Sequence, residues 1–179
     1  MIEGINEIME IRQAVTADLP DIQKVYDTAR NFMRAHGNPT QWVGGYPQEE
    51  LLRRDIEKRQ LYVCVEKGQM VGSFAFIPGV DPTYLVIEQG NWHANRPYAA
   101  IHKVASNGQV KGVTRACFDF CSARCDYLRM DTHQDNLPMQ NAMKKYGFRQ
   151  CGVIHLADGS PRIAFDYRRK CSNDGEKET

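Results

Sequence analysis

Apolar residues recur at helical spacing in four stretches of the chain and alternate with polar ones in the stretches between. Ile22, Val25, Tyr26, Ala29 and Phe32/Met33 fall three or four apart, which predicts an amphipathic helix to about Ala35. Asp18 is its expected N-cap, Pro20 fits the first turn, and His36-Gly37-Asn38-Pro39 stops it. Pro47 opens a second helix over 48–59, with Leu51, Leu52 and Ile56 on one side and charges on the other. A third carries Val113, Ala116, Cys117, Phe120 and Cys121. A fourth carries Met139, Ala142, Met143 and Tyr146, with Asn136 as its N-cap and Gly147 as its stop.

Strand patterns occupy 11–15, 61–66, 69–77, 98–105, 127–131, 148–156 and 162–167. Gly72 marks a bend or bulge. In 98–105 one face carries Tyr98, Ala100, His102 and Val104, the other Ala99, Ile101, Lys103 and Ala105. Residues 81–97 are the least readable. Within them, 84–88 reads as a strand or a helical turn, and His93 as a surface residue. Strand 98–105, the third helix and strand 127–131 form a unit whose strands are expected to run parallel with a right-handed crossover.

The chain has 179 residues, 42% apolar and 25% charged, and its 23 basic and 22 acidic residues leave a net charge of +1. That balance gives no reason to expect nucleic acid or an anionic membrane as partner. No apolar run approaches the ~20 residues of a membrane span. Met1 to Glu10 is acidic and lacks a signal-peptide pattern, which predicts a cytoplasmic protein. Residues 1–10 read as a lead, 11–167 as one domain and 168–179 as a charged tail. None of the six cysteines forms a CxxC pair, so reduced thiols and no metal site are expected. Cys117, Cys121 and Cys125 share a helix face and read as buried apolar thiols. Cys171 reads as exposed.

Ser106 to Arg115 is a polar, glycine-containing turn between a strand and a helix. Such a turn gathers free backbone N–H groups and a positive helix end, a site for phosphate. Within it, Gln109-Val110-Lys111-Gly112-Val113-Thr114 resembles the GNAT-family pattern of Arg or Gln, two residues, Gly, one residue, Gly or Ala. Asn136, followed eleven residues later by Gly147-Phe148, resembles the family's closing helix. The order of elements over Ile11 to Tyr167 is also similar to that of GNAT acyl-CoA-dependent N-acyltransferases. A narrower likeness, to uncharacterised bacterial members, rests on Arg129-Met130-Asp131-Thr132-His133, Asn136, Cys151-Gly152 and Asp158-Gly159.

The resemblance implies an α/β (α+β) fold. Its mixed, mostly antiparallel sheet has about six or seven strands, with a splayed parallel pair and about four flanking helices. It implies acetyl transfer from acetyl-CoA to a primary amine of a small molecule or peptide, no metal, and a homodimer. The amides of Gln109, Val110, Lys111, Gly112, Val113 and Thr114 would hold the pyrophosphate. Val104 and Ala105 would pair with the pantetheine arm, and a backbone N–H there would serve a developing oxyanion. Asn136 would bond the arm, cap the helix, or both. Thr114 stands where the family pattern has Gly or Ala. Met143 stands where many members carry a tyrosine that protonates the leaving thiolate, so that acid is missing. Tyr146, a turn away, is expected in the core.

His102 is the leading candidate base, with a histidine bonded within the sheet as the alternative reading; histidine's ordinary pKa of ~6.5 suits proton handling. His133 reads as acid, base, or a loop residue bonded to Asp131 or Asp135. Trp42 and Tyr46, in an irregular aromatic loop, read as a core plug or as the wall of a substrate pocket. Glu88 is a candidate for holding a cationic amine. Two other functions fit the same loop: an acyl-CoA-binding module without catalysis, and a protein that binds a nucleotide or other phosphate ligand. A P-loop is disfavoured because the GK[ST] ending is missing.

Overall fold

In a computed structural model that describes residues 9–170, the alternating stretches become seven strands of one sheet. They are β1 (Glu10–Gln13), β2 (Leu61–Glu66), β3 (Gln69–Pro78), β4 (Ala99–Ser106), β5 (Tyr127–Thr132), β6 (Arg149–His155) and β7 (Pro161–Arg168). The helical stretches become α1 (Leu19–Ala35), α2 (Glu49–Glu57), α3 (Val113–Ser122) and α4 (Leu137–Tyr146). The sheet order is β1-β2-β3-β4-β5-β7-β6, antiparallel throughout except for the parallel pair β4–β5. Residues 1–8 and 171–179, and with them the expectation for Cys171, lie outside the described residues. No helix among the described residues is long and apolar enough to cross a membrane.

The helices divide between the two faces as their stripes require. Ile22, Val25 and Tyr26 of α1 and Leu52 of α2 pack on Leu61, Val63, Ala75 and Ala105. Val113, Cys117, Phe118 and Cys121 of α3 and Met143 of α4 pack on Phe74, Ile101, Val104 and Phe165. Each large apolar side chain buried this way contributes ~1.5–3 kcal/mol. Cys117 and Cys121 are fully buried, as their spacing predicts, and Tyr146 packs against this second cluster. Asp18 differs from its expected role. It precedes α1, but its carboxylate takes two hydrogen bonds from the Arg12 guanidinium (2.8 and 2.9 Å) and one from Val15 N–H. A bidentate charged partner outcompetes a neutral amide.

Two irregularities position the site. The first lies beside Gly72, where the β2–β3 register shifts. A Cβ on Gly72 would lie 2.4 Å from Val113 Cγ1, so the missing side chain lets the start of α3 press onto the sheet. The second is a bulge in β4 at Lys103, whose φ is +55°. Lys103 Nζ lies 3.0 Å from Asp55 Oδ2 of α2, a buried pair. The bulge corrects the simple alternation: Ile101 and Val104 both face α3, while Ala100 and His102 face the opposite side.

The unreadable segment 81–97 folds over that opposite side. It holds a 3-10 turn at Pro82–Tyr84, then bridges Glu88 to Val153 of β6. His93 is a surface residue, as expected, but a tethered one. Its Nδ1 lies 2.8 Å from Oδ1 of the fully buried Asp166, whose Oδ2 accepts from His93 N–H and Tyr127 O–H. Cys151 Sγ lies 3.3 Å from the same Nδ1, and burial pushes its thiol up to about 12. Both Asp166 oxygens are spoken for, so this cluster anchors the loop. Arg129 is a second anchor. Its guanidinium is buried between the rings of Trp92 (4.2 Å) and Tyr98 (4.1 Å) and donates to Ala94 O.

Gly152 permits the docking, since a Cβ there would lie 2.4 Å from Glu88 O. Gly152→Ala is therefore expected to lift the segment and to destabilise the fold by about 1–3 kcal/mol. That is ~2–4 °C in melting temperature per kcal/mol for a chain of this size. Thermal unfolding of the variant beside the wild type measures it.

Candidate active site

The loop between β4 and α3 is held from below and open above. Asn107 N–H donates to Val71 O, and Asn107 Nδ2 to Met70 O. Gly108 N–H is taken by Ser106 Oγ and Gln109 N–H by Asn107 Oδ1. Gln109's amide is therefore spent inside the turn. The amides of Val110, Lys111, Gly112, Val113, Thr114 and Arg115 find no acceptor among the described residues. Val113 is buried and Val110 packs against the same core, so both side chains point down beneath the loop. Gly112 has φ +86°, a left-handed conformation suited to glycine, and a Cβ there would meet nothing within 4 Å. Lys111 is exposed and has no acidic partner among the described residues. Unpartnered amides, a helix N-terminus and a free cation form an anion cradle. A cavity of 430 Å³ beside it is lined by Lys24, Thr28, Asn107 and Gln109 among others.

Below the loop the sheet splits. Only Ala99↔Leu128 and Ala100↔Arg129 pair across β4 and β5. Val104 and Ala105 have no partner on β5, and on their other edge β4 is held by β3. This is the splayed parallel pair that the resemblance implied.

His102 and Asp131 are the first residues of their face past the last rung. His102 Nδ1 lies 3.8 Å from Asp131 Oδ2, and His102 Nε2 lies 2.7 Å from Asp81 Oδ2. Asp131 Oδ2 also accepts from Tyr84 O–H at 2.7 Å. Burial pushes the Asp81 carboxyl up, but the bonds from His102 and from Thr83 N–H and Oγ1 outweigh it and hold Asp81 at about 2. An ionised Asp81 fixes the proton on Nε2 and turns the Nδ1 lone pair toward the split.

Asp81 also has a signature in stability. A carboxyl whose folded pKa lies below its unfolded one stabilises the fold wherever it is ionised. That contribution is present above pH ~4 and is lost as pH falls towards 2. Acid unfolding of Asp81→Asn is expected to differ from the wild type above pH ~4, with the difference shrinking as pH approaches 2.

The α1–α2 loop closes the site from above. Gln41 Oε1 accepts from Asn38 Nδ2 and Asn136 Nδ2, both at 2.8 Å, while Gln41 Nε2 donates to Thr132 Oγ1. Asn136 Oδ1 caps α4 by accepting Met139 N–H. Its amide thus joins α4, β5 and the loop. His133 Nδ1 accepts Asp135 N–H, which leaves the proton on Nε2, beside Thr40 Oγ1 at 3.3 Å. Burial and then the Arg162 charge lower its pKa. His133 is therefore a neutral donor whose acceptor nitrogen is already used. Trp42 is half-buried against Tyr26 (5.6 Å) and Tyr46 (6.2 Å). Burial, then Asp55 and Asp131, push Tyr46 up to about 12, with Arg162 acting the other way. Its hydroxyl has no hydrogen-bond partner among the described residues.

The remaining candidates lie elsewhere. Glu88 is bonded through its backbone to β6, the far edge of the sheet, two strands beyond β5. Met143 is fully buried. Tyr146 O–H is tied to Asp119 Oδ1 and Ser122 Oγ of α3, and burial pushes it up to about 12. Asp81, Tyr84, Gln41 and Arg162 were not singled out from sequence. Asp131 figured only as a partner for His133.

The seven-stranded mixed sheet, split at its parallel pair, is the GNAT fold, and the likeness drawn from the sequence holds in three dimensions. An acetyltransferase of the GNAT family from Streptococcus agalactiae is 27% identical, with a TM-score of 0.83 over 93% of this chain and 100% of that one. A GNAT-family acetyltransferase from Listeria monocytogenes matches at 16% identity and a TM-score of 0.67, over 92% and 100%. The ribosomal-protein-S18-alanine N-acetyltransferase from Escherichia coli matches at 14% and 0.60, over 96% and 100%. No family model matches the sequence, and no curated protein does. The fold is one that carries acetyl transfer in the structures it matches.

Proposed function

We propose that the protein transfers an acetyl group from acetyl-CoA to a primary amine of a small molecule, by direct transfer. One coincidence carries this reading. Six unpartnered amides stand at the start of α3, and the split they overlook begins at a histidine backed by an ionised aspartate. The residues fit the co-substrate. The amides of 110–115 and the free Lys111 suit a pyrophosphate, and the unpaired stretch at Val104 and Ala105 suits an amide-rich arm.

Acetyl-CoA supplies an activated acetyl thioester; the chain supplies position and a proton acceptor. His102 Nδ1 takes a proton from the acceptor ammonium while Asp81 balances the imidazolium. The freed nitrogen bonds to the acetyl carbon, the C–S bond breaks and coenzyme A leaves as a thiolate, while the surplus proton on the acylated nitrogen passes to solvent to leave a neutral amide. A free thiol has a pKa of ~8.5, so a dedicated acid is dispensable and Met143 is no obstacle. Asn136 acts by position, locking the α1–α2 loop over the split. Five described cysteines are free, which supports a reducing, cytoplasmic setting.

A second reading, an acyl-CoA-binding module without turnover, draws on the burial of Met143 and the engagement of Tyr146. Mass spectrometry of acetyl transfer to an amine panel separates the two. Acetylated product supports the enzyme. Tight acetyl-CoA binding with no product on any amine, and no hydrolysis above background, supports the module.

A further inference from the structure

Arg162 is 92% buried, from a relative exposure of 8%, and no acidic group among the described residues pairs with it. Its one hydrogen bond runs from Nη1 to the neighbouring Pro161 O. The nearby Asp158 carboxylate is already engaged by Ser160 N–H and Oγ. Its other guanidinium nitrogens make no hydrogen bond yet keep some contact with solvent, so they are open to an incoming anion. Sheet register says where it sits. The β5–β7 ladder pairs Asp131 with Ala164 and Thr132 with Ile163. One step on, Arg162 faces His133, on the same side of the sheet as Asp131. Its charge also reaches Tyr46, whose hydroxyl is unbonded. Along one face the order is therefore Asp81, His102, Asp131 and then Arg162, under the aromatic loop.

Resting on the acetyltransferase reading, we infer that the acceptor is a free α-amino acid or a close analogue. Its ammonium would lie between His102 and Asp131, and its carboxylate on Arg162, with Tyr46 O–H and His133 Nε2–H as neighbouring donors. Asp131 and Arg162 are diagonal neighbours on adjacent antiparallel strands, close enough for long side chains to serve one small ligand between them. A polyamine would set a second cation against Arg162. A peptide N-terminus has its carboxylate replaced by an amide at the position where Arg162 stands.

The test compares the common L-amino acids with their carboxamides, by acetyl-transfer kinetics and by calorimetric titration of the coenzyme A-loaded protein. The acids are expected to exceed their carboxamides by about 10–100-fold in kcat/KM and in affinity, the weight of one charged hydrogen-bond pair. Arg162→Met, which keeps the apolar stem, is expected to bring that ratio toward one, and Arg162→Lys to retain part of it. Carboxamides or simple amines accepted as well as acids by the wild type would overturn the amino acid assignment and leave acetyl transfer standing. Selective binding of acids without turnover would support it and overturn the enzyme reading. Loss of neither binding nor preference in Arg162→Met would also overturn it.

Discussion

Gly112→Glu is expected to weaken acetyl-CoA binding by about 100-fold or more while the protein stays folded. The cradle is made of backbone amides, so its strength rests on shape and charge. Hydrogen bonds to a charged group are worth ~1.5–3 kcal/mol each, and 1.4 kcal/mol is tenfold in affinity. Displacing a phosphate from two amides therefore accounts for the loss before the new carboxylate adds repulsion. The fold survives because a Cβ at 112 meets nothing within 4 Å. What remains is the strain of φ +86°, ~1–2 kcal/mol for a non-glycine residue. Gly112→Ala carries that strain without the charge, and is expected to lose far less affinity. Calorimetry gives the affinities and thermal unfolding the stability. Unchanged affinity in the glutamate variant would remove the loop from the donor site.

His102→Gln is expected to lower the rate of acetyl transfer by about 10²–10⁴-fold, the usual weight of a general base, with little change in acetyl-CoA affinity. Glutamine retains a donor for Asp81 at the position of Nε2, which keeps that carboxylate from being left alone. It cannot take up a proton. The fall in rate at low pH expected of the wild type should vanish with the imidazole, since the variant has no base at that site to lose. His102→Ala should show the same kinetic loss with an added cost in stability, because Asp81 then lies half-buried without its partner. An unaltered pH–rate profile in either variant would take His102 out of the mechanism.

Much of the fold was legible because local and long-range signals agree in it. The stripes of α1, α3 and α4 match the faces they bury, and the strand, loop and helix around Gly112 have the order that a parallel pair needs. The site was legible only in part. His102 was visible as a histidine on a central strand, but its partner Asp81 lies 21 positions away in a segment without periodicity. That segment is fixed by contacts with no local signature: Gly152 making room for Glu88 O, Asp166 holding His93, and Arg129 between two rings. The bulge at Lys103 misled the alternation of β4, because a left-handed non-glycine residue gives no warning in sequence. Its causes, Asp55 on α2 and Tyr26 O–H bonding Lys103 O, come from distant elements. Arg162 needed the β5–β7 register before it stood beside His133 and Asp131. Asn136 was read correctly as a cap, and its second bond, to Gln41, depends on how the α1–α2 loop folds back.

The central claim is that the β4–α3 loop and the split sheet form a site for an acyl-CoA. Calorimetric titration of the protein with acetyl-CoA, and separately with ATP, tests it most directly. The account predicts saturable one-to-one binding of acetyl-CoA and no binding of ATP at the same concentrations. Binding of ATP without binding of acetyl-CoA would contradict it.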